Sequence, residues 1–131
     1  MKFKNEIFFN KQFMETVARV NTFEDWEPKG AYWFNRLVKK LTSAQEDFND
    51  IRKKIVEKYG EKQEDETYKV AEVHTVAFSE AIKELLDEEF EIKGIKPIKF
   101  PKGLKISPME MGLLENIIDM EDFLDDEDEL N

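Results

Sequence analysis

Between Phe34 and Ile55 the apolar residues fall at Phe34, Leu37, Leu41, Ala44, Phe48, Ile51 and Ile55, in alternating steps of three and four. This heptad spacing predicts one long helix over 31–59 with a continuous apolar seam. Gly60 follows where a helix end favours a left-handed residue. At 1.5 Å of rise per residue such a helix is about 42 Å long, so part of it must pack on other helices or project. Arg52, Lys53, Lys54 and Lys58 fall in its C-terminal half, where positive charge suits the helix dipole.

The same pattern reading divides the rest. KFKNEIFF (2–9) is a short strand or lead-in. Asn10 is placed to cap a helix over 11–21, with Phe13, Val17 and Val20 on one face. TFEDWEPKG (22–30) reads as a loop punctuated by Pro28 and Gly30, and EKQEDE (61–66) as a charged loop. TYKVAEV (67–73) suggests a short strand. A second strong helix spans 75–87, striped by Phe78, Ile82 and Leu85 and widened by Ala81 and Leu86. Residues 89–100 alternate apolar and polar; Pro97 confines them to an edge or interrupted strand, and Gly94 marks a turn or bulge. Ser107, Pro108 and Glu110 form a capping start for a helix over 107–118, with Met111, Leu114 and Ile118 facing inward beside Leu113 and Ile117. The expected fold is mainly α with a small β component (α+β). Its long helix 31–59 packs on helices 11–21 and 75–87.

This order of elements, and the stretches IRKKIVEKYGEK, FSEAIKELLDEEFEI and ISPMEMGLLENII, resemble small uncharacterised helix-rich proteins encoded by tailed bacteriophages. The likeness covers much of 31–118. It implies a helix-rich fold, a phage-related origin and the cytoplasm of a bacterial host cell. It carries over no active-site residue.

Composition narrows the class. At 131 residues, 40% of them hydrophobic and eleven of them Phe, the chain can build one real core. It lacks cysteine, which excludes disulfides and thiolate chemistry. The longest wholly apolar runs are three or four residues, too short to span a membrane, and MKFKNEIFF is too charged for a secretory leader. Charge is uneven. Eight of the 30 acids lie in 119–131, which leaves 22 acids against 20 bases in residues 1–118, a net of −2 out of −10. The expected organisation is one compact domain over 1–118 followed by a flexible acidic tail.

Chemistry is sparse. His74, the sole histidine, has no partner at metal or catalytic spacing and reads as a surface or capping residue. No phosphate-binding glycine loop, nucleophile elbow or zinc-protease motif occurs, and the acidic end lacks the glycine turn of a calcium loop. No cofactor is implied. Two features remain. Lys93, Lys96, Lys99, Lys102 and Lys105 recur at every third position with no acid between them, a pattern that attracts phosphates or guards an exposed edge. Trp26 and Trp33 flank the start of the long helix, either as exposed anchors or as residues closing the end of the bundle. In the tail, Asp119, Glu121, Asp122, Asp125 and Asp126 surround Phe123 and Leu124, which suits contact with a basic protein surface.

The function expected from the sequence is that of a non-enzymatic phage-type accessory protein. It binds another protein of host or phage through a basic surface on that partner, in an inhibitory manner among others, and self-associates through its helices. The alternative is linked to nucleic acid: a DNA mimic, or a weak single-strand binder with an autoinhibitory acidic tail. These classes have different requirements. A mimic holds acids on a folded surface at duplex phosphate spacing. A single-strand binder needs exposed aromatics beside the Lys series. An enzyme, the third class, needs a pocket with convergent polar groups.

Overall fold

The computed structural model describes residues 1–96 and 98–115. Pro97, Ile117, Ile118 and the acidic segment 119–131 lie outside the described residues. In chain order the elements are β1 (Lys2–Lys4), a 3-10 turn (Asn5–Phe9), α1 (Lys11–Asn21), α2 (Pro28–Tyr59), β2 (Gly60–Lys62), β3 (Tyr68–Val70), a 3-10 turn (Glu72–His74), α3 (Thr75–Asp87), β4 (Glu89–Glu91) and α4 (Pro108–Leu114). The fold is mainly helical with a small antiparallel β part: β1 pairs with β4, and β2 with β3.

Local chemistry sets the helix starts. The Asn10 carboxamide oxygen accepts the Phe13 N–H at 3.3 Å and starts α1. At α4, the Ser107 hydroxyl accepts the Glu110 N–H while the Glu110 carboxylate accepts the Ser107 N–H, a reciprocal capping box. Glu110 also accepts from the Arg19 guanidinium, which ties α4 to α1. α2 begins at Pro28, three residues before the expected Ala31. Pro28 is the first helical residue, where its fixed φ is pre-organised and its missing N–H costs nothing, so the proline starts the helix instead of marking a loop.

The core lies between α1, the first half of α2 and the segment after β4. Phe13, Val17 and Val20 of α1 meet Phe34, Leu37 and Leu41 of α2; Phe3, Ile92, Ile98, Phe100 and Leu114 complete the cluster. A second aromatic group lies further along α2. There Phe8 and Phe9 of the first 3-10 turn approach Phe48, and Phe8 stacks on Phe90 of β4 at 5.4 Å. α3 packs along α2, and its Leu85 is buried.

Four expectations are corrected. The heptad seam is buried only through Phe48; Ile51 is 47% exposed, and Ile55 is half-buried. Past Phe48, α2 meets α3, the β2–β3 hairpin and, through Arg52, the Phe9 ring of the first 3-10 turn, and Ile51 is left exposed. Gly60 is not left-handed: its φ of −99° is extended, and it begins β2. A Cβ there would lie 2.6 Å from the Val56 carbonyl oxygen and 3.1 Å from the Tyr68 Cβ, so glycine serves close packing where the helix folds straight into a hairpin. Finally, the charged loop 61–66 is in part β2, and the alternating stretch 89–100 is strand only through Glu91. Beyond it the chain is irregular, turns at Gly94 with φ +79°, and still buries Ile92, Ile98 and Phe100.

The corrected seam separates two substitutions. Leu41→Asp puts an unpaired charge into the core and is expected to cost several kcal/mol. Ile51→Asp is expected to stay within about 0.5 kcal/mol of the parent. Urea titrations of the two variants check this. A second test concerns Glu110. The backbone N–H of Ser107, and then Arg19, hold its carboxyl below the usual carboxylate range. A depressed folded pKa contributes stability above the unfolded pKa, and that stability is lost as pH falls through the folded value. Thermal midpoints of Glu110→Gln should therefore lie below the parent's at neutral pH and converge with them under acid conditions.

Candidate functional site

The segment after β4 starts with reciprocal backbone bonds between Ile92 and Met1, and beyond them side-chain packing holds it in place. Its course runs antiparallel to the first half of α2. The Lys93 carbonyl accepts from the Lys40 ammonium at 2.8 Å. Three residues on, the Lys96 ammonium sits 5.6 Å from the centre of the Trp33 ring. Lys99 follows at Gly30: a Cβ on Gly30 would lie 3.1 Å from the Lys99 carbonyl oxygen and 3.1 Å from the Trp26 ring. Gly30 thus works by having no side chain, which lets the segment approach the first turn of α2.

The helix supplies the other half of the site. Lys29, Trp33, Arg36 and Lys40 follow at steps of four, three and four, which places them on one face of α2 over about 16 Å. Arg36 bridges two rings: its guanidinium carbon lies 5.7 Å from the Trp33 centroid and 5.8 Å from that of Tyr32, and it donates to the Tyr32 hydroxyl at 3.1 Å. Tyr32 meets Trp33 edge-on with centroids 5.1 Å apart. Tyr32 is 53% exposed and Trp33 half-buried. The outcome is a stripe of cations around two aromatic rings, fixed by cation–π contacts and a hydrogen bond.

At the helix start the stripe opens into a cleft of about 410 Å³, lined by Lys29, Trp33, Lys99 and Lys102 together with the carboxylates of Asp25 and Glu27. Among the described residues, carboxylates enter the region there and at Glu91, 3.8 Å from the Lys93 ammonium. Between those points Lys29, Arg36, Lys40, Lys93, Lys96, Lys99 and Lys102 share one face. Such a concentration of like charge sets up a local positive potential although the chain as a whole is acidic.

The predicted site residues therefore separate. Lys93, Lys96, Lys99 and Lys102 join the stripe with Trp33. Lys105 lies past the Gly103 turn and leads into α4. Trp26 turns inward: it stacks on Phe34 at 5.1 Å, lies 5.6 Å from Phe100, and donates its indole N–H to the Val20 carbonyl at 3.0 Å. It closes the end of the core. Asp119, Glu121, Asp122, Phe123, Leu124, Asp125 and Asp126 lie outside the described residues. His74 is exposed at the N-cap of α3, makes no capping hydrogen bond there, and stands 6.4 Å from the Tyr59 ring. Among the described residues no group of three His, Cys, Asp or Glu is placed to hold a metal, and no helix is long and apolar enough to cross a membrane.

Lys29, Tyr32, Arg36 and Lys40 are site residues that the apolar pattern does not single out. The signal was present in the 4-3-4 spacing around Trp33, and reading 22–30 as a loop hid its first member. No family model, curated protein or solved structure matches the chain.

The core tryptophan and the exposed stripe should respond differently to substitution. Trp26→Ala opens the core between Phe34 and Phe100 and is expected to cost about 3 kcal/mol. Lys96→Ala, at the exposed side of Trp33, is expected to stay within about 0.5 kcal/mol of the parent. Denaturant midpoints at neutral pH measure both.

Proposed function

We propose that the protein is a non-enzymatic accessory protein that acts by binding, with the cation–aromatic stripe of α2 and residues 93–102 as the binding face of its folded part. The observation that carries this reading is the convergence of Arg36 and Lys96 on Trp33 within a row of lysines drawn from two separate stretches of chain. A row of this kind repels itself, and an anionic partner lowers that energy. The partner is therefore acidic at this face, whereas the segment 119–131 suits a basic one. In line with the resemblance to proteins of tailed phages, we place its work in the cytoplasm of a bacterial host, on a host or phage macromolecule. Tyr32, Trp33 and Arg36 are also residue types enriched where protein interfaces concentrate their binding energy, which keeps an acidic protein surface among the candidate partners. Self-association through the helices would fall at the far half of α2, where Ile51 is exposed.

A charge-reversal pair tests the face. Lys29→Glu with Lys96→Glu changes net charge as much as Lys62→Glu with Lys69→Glu, which lies on the β2–β3 hairpin. On immobilised heparin the first pair is expected to elute at clearly lower salt than the parent, and the second close to it. Equal shifts for both pairs would mean that net charge alone governs retention, and the stripe would lose its assignment.

A further inference from the structure

We infer that the ligand class of the stripe is single-stranded nucleic acid, with phosphates along the cations and one base against Tyr32. This rests on the reading of the stripe as the binding face. Three observations lead to it. First, six of the seven cations are lysines: Lys29, Lys40, Lys93, Lys96, Lys99 and Lys102. Lysine is a point charge on a flexible stem, suited to following a backbone and poor at the paired, planar contacts that read base edges. Second, the row is straight and short. The run from Lys29 to Lys40 covers about 16 Å, close to five nucleotides at the roughly 3.4 Å rise of a stacked strand and at the low end of the range of about 4–16 nucleotides for such sites.

Third, an aromatic ring is offered at the middle of the row and held there. Arg36 fixes Tyr32 by a hydrogen bond to its hydroxyl and by its place over the ring, and the Trp33 edge supports it from the side. Half of Tyr32 nevertheless remains open, at 53% exposure. An open ring among cations offers a stacking surface that any unpaired base can use. A duplex keeps its bases stacked inside and can reach only the cations. A polypeptide of carboxylates also satisfies the cations and leaves the ring without a partner. Of the three anionic polymers, only the single strand uses both halves of the site.

Carboxylates facing the stripe limit how tight this can be. Asp25 and Glu27 oppose an anion at the cleft and Glu91 does so beside Lys93, so the strand follows the whole row from Lys29 to Lys40 with its weakest contacts at the two ends. With four or five phosphates neutralised there, log affinity should fall with log salt at a slope of about −3, roughly a 60-fold loss between 50 and 200 mM.

The experiment uses the full chain and a labelled thymidine oligonucleotide of about 15 residues, in fluorescence anisotropy from low salt upward. The expected result is binding with that slope, weakened about 5- to 150-fold by Tyr32→Ala and largely kept by Tyr32→Phe, which retains the ring. Thermal melts confirm that both variants fold as the parent does. A duplex of the same length binding as tightly, or Tyr32→Ala binding like the parent, overturns the inference. Polyglutamate bound at the stripe with no oligonucleotide bound overturns it as well, while leaving the stripe an anion-binding face. Loss of both polymers and of heparin retention removes the face itself.

Discussion

The seating of Ile98 and Phe100 on the first half of α2 is the contact on which the rest of the molecule depends. Both are buried, and both belong to a stretch without ladder hydrogen bonds. Burying two such side chains is worth roughly 1.5–3 kcal/mol each, and little else specifies the path of this stretch. Because their side chains point inward, the intervening Lys99 is left exposed, as are the flanking Lys96 and Lys102. Phe100 also meets Trp26 and Phe34, so the same contact closes the end of the core. Gly30 makes the approach close enough for this packing. A core contact and a surface charge pattern are thus two faces of one arrangement.

Much of the architecture was legible from spacing alone. Helix 11–21 and helix 75–87 fall where the apolar stripes and the Asn10 cap placed them, and the Ser107 start carries the expected reciprocal bonds. The physical reason is locality: caps and stripes are decided within one or two turns. The misreadings were decided further away. Ile51 keeps the heptad step, but periodicity cannot say where the partner surface ends. Gly60 looks like a left-handed helix stop, and its use is steric, set by the Val56 carbonyl in the last turn and by Tyr68 eight residues later. Residues 92–100 alternate like a strand, yet the ladder with β1 runs out at Ile92, which exchanges its backbone bonds with Met1.

The site was legible in halves. The Lys series and Trp33 stood out as separate features, and nothing in the sequence linked them. The link is tertiary, made when residues 93–99 lie against the helix. The criterion of aromatics beside the Lys series, set for a single-strand binder, thus turned on the same packing as the core. Acidity is also arranged: eight acids are gathered in 119–131, outside the described residues, while the stripe collects cations from 29–40 and 93–102. A chain with pI near 4.7 can in this way keep a strongly basic face.

The half-covered seam of α2 has a consequence for motion. The first half of the helix is locked by α1, the segment after β4 and a full aromatic core, while the half past Phe48 leans on α3, a short hairpin and the contact of Arg52 with Phe9. Backbone amides of 51–59 and of the facing turns of α3 therefore belong to a unit of lower opening free energy than those of 34–41. One unbroken 32-residue helix is energetically two: a rigid platform under the stripe, and a looser arm that can open without disturbing it.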